Sequence, residues 1–173
     1  MYPVSRILHR ARDFYGARTA VIDGETSLTY AQFSDRVDRL ASALLGLGLE
    51  QGDRVAILDH NSFRYLEAYY ACAQAGLAFM PLNARLAPAE LEYIFADSEA
   101  KVLLLTPNFA DLYEQVRDQT PSIEIAIGLD FPVVPAGYLD YEGLIGGARP
   151  LTDPPVVAPD DIIQIYYTSG TTG

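Results

Sequence analysis

Apolar residues follow two different spacings along this chain, and the two spacings predict alternating strands and helices. Segments that are mostly apolar with little alternation are typical of strands that are covered on both faces, and they lie at 54–58, 77–82, 101–105 and 123–127. Apolar residues that recur every three or four positions are typical of helices. They predict helices over 3–15 and 63–75, and helices that begin at Thr29, Pro88 and Thr106.

The order strand, helix, strand sets the predicted fold class. Buried strands joined by helices form βαβ units, which pair their strands in parallel through right-handed crossovers. We therefore predict an α/β fold, an open, mostly parallel sheet with helices on both faces. Ahead of this sheet, the segments 19–23 and 27–29 predict two short strands around a turn at Gly24.

The predicted helix at 3–15 is amphipathic and basic. Arg6, Arg10 and Arg12 lie mainly on one side, and the apolar residues on the other side are Val4, Ile7, Leu8, Ala11, Phe14 and Tyr15. A helix of this kind can lie on an anionic membrane. Because it is short, we favour the interpretation that it packs against the domain.

Polar residues predict where one helix begins and where a ligand could bind. Thr29 and Gln32 have the spacing of a capping box at the start of the long helix. The polar loop at 59–62 follows the predicted strand 54–58. In open α/β sheets, ligands gather at the carboxyl ends of the strands.

Composition and charge restrict the class of protein. Half of the 173 residues are hydrophobic, which predicts a globular fold, and the net charge of −11 excludes a broad nucleic-acid surface. Cys72 is the sole cysteine, so the sequence predicts no disulfide within the chain, a buried thiol and a reducing, cytoplasmic compartment. His9 and His60 have no neighbouring ligand residues, and we expect no metal site and no transmembrane segment.

The last twelve residues contain the strongest candidate for chemistry. An apolar run at 162–167 predicts a buried strand, and a loop of Thr, Ser and Gly follows it at 168–173. Glycines let backbone N–H groups approach a ligand, and hydroxyl groups add donors, so the loop can hold phosphate oxygens. It lacks the lysine of a nucleotide-binding P-loop. The alternative is a disordered Ser/Thr/Gly tail.

Four landmarks in order give the chain a resemblance to a known family. They are Leu28-Thr29-Tyr30; Gly52 to Ala56 with Asn61-Ser62; Ala75 to Asn83 with Arg85-Leu86 and Glu90-Leu91; and Thr168 to Gly173. In this order they resemble the N-terminal portion of the adenylate-forming superfamily, along almost the whole chain. Within it, the chain is most similar to medium- and long-chain fatty acyl-CoA synthetases.

The resemblance implies a two-step ligase that uses ATP, Mg²⁺ and coenzyme A. A carboxylic acid, by this resemblance a fatty acid, would attack the α-phosphate of ATP, and coenzyme A would then displace AMP. The resemblance assigns the β- and γ-phosphates to Thr168, Ser169, Gly170, Thr171, Thr172 and Gly173. It also suggests Arg85 as a contact of coenzyme A, the alternative being a surface or salt-bridged arginine.

The resemblance also implies that these residues are the first part of a larger enzyme. The expected division is an α/β subdomain at 1–131, a Pro/Gly-rich connection at 132–159, and a strand with the phosphate loop at 160–173. The catalytic lysine and the Mg²⁺-binding glutamate of the family have no counterpart here. We therefore expect the isolated 173 residues to be inactive and to self-associate through an uncovered face of 162–167.

Other interpretations remain open from the sequence. Within the superfamily, the alternatives are a peptide-synthetase adenylation domain and a luciferase-like enzyme. Outside it, the chain could be a non-catalytic interaction subdomain. A dinucleotide-binding fold is disfavoured because no G-x-G-x-x-G follows an early strand.

Overall fold

The computed structural model describes residues 4–168, and within that range it alternates helices and strands. The helices are α1 (Val4–Tyr15), α2 (Tyr30–Gly46), α3 (Phe63–Ala75), α4 (Pro88–Ser98), α5 (Ala110–Glu114) and α6 (Tyr141–Gly147). The strands are β1 (Thr19–Asp23), β2 (Thr26–Thr29), β3 (Arg54–Leu58), β4 (Ala78–Pro81), β5 (Val102–Leu105), β6 (Ile125–Gly128) and β7 (Tyr138–Asp140).

Five of these strands form one parallel sheet in the order β4-β3-β5-β6-β7. Every neighbouring pair in it is parallel, and Val55 of β3 lies opposite Phe79 of β4 on one side and Val102 of β5 on the other. The remaining strands, β1 and β2, form a separate antiparallel hairpin. The predicted α/β class and the predicted hairpin are both confirmed.

The sheet has a hydrophobic core on each face, because alternate residues of a strand point to opposite sides. Val55 and Ile57 face a core built with α2, α3, Leu8 of α1 and Tyr141 of α6. Ala56 and Leu58 face the other core, which α4 and α5 cover. Both faces of β3 are buried for this reason, which explains its continuous apolar sequence.

The ends of the central helices follow from capping residues. The Thr29 Oγ accepts a hydrogen bond from Gln32 N at 3.2 Å, and Gln32 Oε1 accepts one from Thr29 N at 2.9 Å. This reciprocal pair confirms the predicted capping box at the start of α2. Gly76 ends α3 with φ of 70°, a conformation that only glycine adopts without strain.

The segment after β5 differs from the predicted helix. Pro107–Phe109 forms a 3₁₀ turn, and α5 is a short helix that begins at Ala110. Thr106 does not cap it through its side chain, since the turn closes through the backbone bond from Phe109 N to Thr106 O at 3.0 Å. The predicted helix that begins at Thr106 is thus a 3₁₀ turn followed by the short α5, and the side-chain cap expected of a threonine at this position is not formed.

The Pro/Gly-rich segment is more structured than a surface connection. Its three-residue strand β7 extends the sheet beside β6, and Tyr141 and Ile145 of α6 are buried in the core. A strand this short leaves no alternation that a sequence pattern could show. The sequence analysis therefore missed strand β7.

Helix α1 packs on α2 and α3, which confirms the favoured interpretation of this segment. Leu8 is its fully buried anchor, but Ile7, Phe14 and Tyr15 of the predicted apolar stripe are exposed. Within the described range no helix has both the length and the hydrophobicity to cross a bilayer.

Candidate functional site

The carboxyl ends of the parallel strands lie at one edge of the sheet, which we call the carboxyl edge. It is formed by the loop 59–62 after β3, the loop 82–87 after β4, and Thr106 after β5. Backbone hydrogen bonds from Leu82 N to Ile57 O at 3.0 Å and from Thr106 N to Leu58 O at 3.2 Å hold these chain segments in register. Polar residues from three strands are thereby brought to one place.

The loop after β3 is a rigid polar turn. Ser62 Oγ donates to Asp59 Oδ2 at 2.5 Å and accepts from Tyr65 N at 3.3 Å, and Asp23 Oδ2 accepts from Phe63 N at 2.9 Å. Burial raises the pKa of Asp59, although the hydrogen bond from Ser62 opposes the rise. These contacts use the side chains to start α3, so this loop supports the carboxyl edge structurally.

The loop after β4 presents Arg85 to solvent. Asn83 Oδ1 accepts a hydrogen bond from Arg85 N at 3.0 Å, which fixes the backbone of the turn. Between residues 4 and 168, no carboxylate forms an ion pair with the exposed guanidinium of Arg85. Arg85 is thus a surface arginine without an ion pair among the described residues, and its contact with coenzyme A stays a prediction.

The segment 162–168 reaches the carboxyl edge alongside β4. Gln164 forms a single parallel bridge with Phe79, supported by bonds from Phe79 N to Ile163 O and from Ile165 N to Phe79 O, both 3.0 Å. Thr168 lies four residues after Gln164, and Asn83 lies four residues after Phe79. Parallel pairing directs both segments toward the same edge of the sheet.

The predicted buried strand at 162–167 is not formed beyond that bridge. Ile162 is 65% exposed and Tyr166 is 63% exposed, because β4 is the sole strand beside this segment in the described structure. Tyr167 is held by its hydroxyl, which donates to Asp97 at 2.5 Å. Burial, together with Asp97, raises the pKa of Tyr167 to about 12.

Of the predicted phosphate-loop residues, Thr168 alone lies within the described part of the chain. Thr168 is exposed at the end of the described residues. The other five predicted residues, Ser169, Gly170, Thr171, Thr172 and Gly173, lie outside the described range. Their assignment therefore rests on sequence.

A buried ion-pair network was missed from the sequence. The carboxylate of Glu67 is fully buried, and it accepts from Arg36 Nε at 2.5 Å and from the Tyr141 hydroxyl at 2.8 Å. Arg36 also donates to Glu142 Oε2 at 2.9 Å, and Arg64 donates to Glu142 Oε1 at 3.1 Å. The network joins α2, α3 and α6.

The electrostatics of this network follow from its depth. Burial raises the pKa of Glu67, while Arg36 and Tyr141 oppose the rise by stabilising the carboxylate. Burial alone would lower the pKa of Arg36, but its bonds to Glu67 and Glu142 outweigh this effect and raise the pKa. The signal in the sequence was a charged residue, Glu67, on the buried side of α3, whereas the neighbouring apolar residue Leu66 is exposed.

Other candidate groups have structural contacts. Lys101 Nζ lies 2.8 Å from a carboxylate oxygen of Asp53, whose hydrogen bond raises the lysine pKa. Cys72 is buried as predicted, and burial raises the pKa of its thiol. In the described part of the chain, no cluster of His, Cys, Asp or Glu could hold a metal ion.

Comparison with known proteins decides the family. A profile described as AMP-binding enzyme matches residues 8–173, nearly the whole chain. The chain belongs to the AMP-binding enzyme family. The resemblance to adenylate-forming enzymes is thereby confirmed.

Curated relatives within the AMP-binding enzyme family include several coenzyme A ligases and a fatty acid–[acyl-carrier-protein] ligase of Streptomyces coeruleorubidus. A feruloyl-CoA synthase of Amycolatopsis sp is 43% identical over 157 residues, which cover 90% of this chain and 28% of the relative. A long-chain-fatty-acid–CoA ligase of Thermus thermophilus is 38% identical over 170 residues, covering 96% and 31%. The chain thus spans less than a third of the length of these relatives.

Solved structures of AMP-binding enzymes share the fold. An anthranilate CoA ligase, AuaEII, in complex with anthranoyl-AMP matches with a TM-score of 0.93 at 29% identity, covering 99% of this chain and 33% of that one. The N-terminal domain of FACL13 from Mycobacterium tuberculosis matches with a TM-score of 0.86 at 30% identity, covering 100% and 42%. These neighbours confirm that the fold is that of the N-terminal domain of adenylate-forming enzymes.

Proposed function

We propose that this chain is the N-terminal part of an ATP-dependent acid–thiol ligase that forms AMP. The observation that carries the proposal is its similarity to coenzyme A ligases over at least nine-tenths of its length. The proposed reaction has two steps. A carboxylate attacks the α-phosphate of ATP to give an acyl-adenylate and pyrophosphate, and the thiol of coenzyme A then displaces AMP.

We propose that the loop after the bridge at Gln164 contacts the phosphates of ATP. Backbone N–H groups and hydroxyls of Thr168, Ser169, Gly170, Thr171, Thr172 and Gly173 would hold the β- and γ-phosphates. Parallel pairing with β4 supports this role, since it brings Thr168 to the carboxyl edge. Mg²⁺ would bind together with ATP and screen the charge of its phosphates.

The acid is proposed to be a fatty acid, with an aromatic acid as the second candidate. The Thermus thermophilus relative supports the first, and the feruloyl-CoA synthases, which are more similar to this chain, favour the second. A peptide-synthetase-type adenylation domain and a luciferase-like enzyme are disfavoured, since the similar curated proteins include several CoA ligases. A non-catalytic subdomain would bind ATP without forming an adenylate.

A substrate panel tests this proposal directly. The intact protein is incubated with ATP, Mg²⁺, coenzyme A and either palmitate, decanoate, ferulate or indoleacetate, and AMP and the thioester are quantified. We expect thioester formation with one of the two classes at a kcat/KM at least tenfold above the other. Failure of every acid to yield AMP would contradict the ligase proposal and support a non-catalytic role.

The 173-residue chain serves as the negative control in that assay. We propose that the division 1–131, 132–159 and 160–173 belongs to an incomplete AMP-binding domain, and that the chain alone forms no acyl-adenylate. The exposed side chains of Ile162 and Tyr166 support the further proposal that the isolated chain self-associates. A cytoplasmic location stays a prediction from the single buried cysteine.

Arg85 is proposed to contact a phosphate of coenzyme A. We expect Arg85→Ala to raise the KM for coenzyme A about tenfold, since a hydrogen bond to a charged group contributes about 1.5–3 kcal/mol. The KM for ATP should stay unchanged. Steady-state kinetics of the intact protein measure both values.

Arg149→Ala is the matched control for Arg85→Ala, because Arg149 is also exposed and lies far from β4 in the sequence. Its KM for coenzyme A should equal that of the unmodified protein. An unchanged KM for coenzyme A in Arg85→Ala would show that Arg85 is a surface arginine that does not contact coenzyme A.

A further inference from the structure

A second concave site lies between α1 and the extended segment 150–157, and we call it the α1 groove. Its volume is about 1070 Å³, and its walls include Arg6, Arg10 and Phe14 on one side and Leu151 and Val156 on the other. None of its lining residues belongs to the loops of the carboxyl edge or to the proposed phosphate loop. The proposed ligase chemistry therefore does not account for it.

The α1 groove is cationic in a chain that is otherwise strongly acidic. Helix α1 carries three arginines and one aspartate, Asp13, whereas the whole chain has a net charge of −11. Most basic residues elsewhere are neutralised by carboxylates, for example Arg36 by Glu67. Arg6 has no carboxylate partner among residues 4–168. Positive charge is thus concentrated along one side of the groove.

The floor of the α1 groove is a fixed polar network. His9 Nε2 lies 2.8 Å from Asp38 Oδ1 and 3.1 Å from Gln74 Nε2, and Arg12 Nη1 donates to Asp38 Oδ2 at 3.3 Å. Asp38 and Gln74 are buried. Arg12 Nε also donates to Asp13 Oδ1 at 3.3 Å, so Arg12 is shared by two carboxylates. The groove is lined by three arginines and these two aspartates, which leaves one net positive charge for an anion held by Arg6 and Arg10.

The walls of the groove expose apolar side chains to water. Phe14 is 71% exposed and Val156 is 89% exposed. The guanidinium of Arg10 lies over the Phe14 ring at 5.8 Å from its centroid. Cationic and apolar groups therefore share one wall, and each has surface that a ligand could cover.

We propose that the α1 groove binds a small anionic amphiphile, which has one anionic head group and an aliphatic chain. The head lies at Arg6 and Arg10, where guanidinium groups offer paired donors to a carboxylate. The chain lies between Phe14 and the wall formed by Leu151 and Val156. The volume is slightly above the roughly 300–1,000 Å³ typical of small-molecule sites, and two facing walls suit a narrow ligand better than a flat bilayer.

Decanoate below its micelle concentration tests the proposal on the intact protein. Calorimetry gives its affinity, and hydrogen–deuterium exchange locates the protection without depending on enzyme activity. We expect protection of the peptides that contain 4–15 and 150–157, and much weaker protection by decanol, which lacks the charge. The double variant Arg6→Ala/Arg10→Ala should weaken binding about tenfold. Arg18→Ala, which removes an arginine outside the groove, should leave it unchanged.

A pair of substitutions at Val156 separates charge from the loss of apolar contact. The side chain is exposed, so both Val156→Lys and Val156→Asp are expected to fold. Both substitutions remove the same apolar contact, but the Val156→Lys variant should bind decanoate at least threefold more tightly than the Val156→Asp variant. Equal affinities of the two variants, or equal protection by decanoate and decanol, would overturn the proposal.

Two other outcomes would also overturn the α1 groove proposal. Protection that is confined to the carboxyl edge would mean that decanoate binds only at the proposed substrate site. Protection of α1 by anionic lipid vesicles, but not by monomeric decanoate, would show that this face binds a bilayer surface and not a small amphiphile. The exchange readout is independent of thioester formation, so failure of the ligase proposal would leave this test interpretable.

Discussion

Replacing Glu67 with alanine is expected to lower the free energy of unfolding by about 3–5 kcal/mol. The substitution removes a fully buried carboxylate that accepts from Arg36 and from the Tyr141 hydroxyl. Arg36 keeps Glu142, but the Tyr141 hydroxyl loses its partner in the core. An unsatisfied buried hydroxyl costs about 1–3 kcal/mol by itself.

Urea unfolding of the 173-residue chain measures this loss, at a concentration at which light scattering shows a monomer. Tyrosine fluorescence can follow the transition, since the chain has 12 tyrosines and no tryptophan. Glu142→Ala is the matched control, because Glu142 contacts the same arginine but its side chain is 45% exposed. Its cost should stay at about 0–1 kcal/mol. A loss below about 1 kcal/mol for Glu67→Ala would show that the network contributes nothing beyond its surface pair.

The second large effect is expected at the phosphate loop, where Thr171→Val should lower the kcat/KM for ATP roughly 10- to 100-fold. Valine keeps the shape of threonine and removes the hydroxyl. This prediction rests on the proposed ligase function. A hydrogen bond to a charged phosphate contributes about 1.5–3 kcal/mol, which corresponds to that range. ATP–pyrophosphate exchange by the intact protein measures the first step without coenzyme A.

Thr19→Val makes the same chemical change on the exposed strand β1 and should leave the exchange rate unaltered. Equal exchange rates for Thr171→Val and the unmodified protein would show that the Thr171 hydroxyl does not bind a phosphate of ATP. The remaining hydroxyls of the loop could then be tested in the same assay. A loss of exchange in the Thr19 control would instead point to a general loss of folded protein.

The strands of the sheet were predictable because burial on both faces requires apolar residues at successive positions, which can be read from a short stretch of sequence. Val102–Leu105 is apolar at every position, and a run this short between two predicted helices is typical of a buried strand. The start of α2 was predictable for a similar reason. The two residues of its capping box, Thr29 and Gln32, are close in sequence, so their contact needs no tertiary structure.

The features that were missed depend on partners that are distant in sequence. Arg36, Glu67 and Glu142 come from three helices, and the sequence separations of their pairs reach 106 residues. Strand β7 has three residues and is defined by its hydrogen bonds to β6. The predicted strand at 162–167 has a suitable composition, but in the described structure it lies beside a single strand, so it forms one bridge.

The sequence alone determined the α/β class, the family resemblance and the position of the phosphate-loop candidate, because each depends on residues that are adjacent or regularly spaced. The tertiary structure alone decided that Arg85 has no ion-pair partner within residues 4–168, that Glu67 is fully buried, and that α1 leaves Phe14 exposed beside Val156. These properties depend on which surfaces meet when the helices pack. Packing is set by contacts over long sequence separations, and local spacing does not encode them.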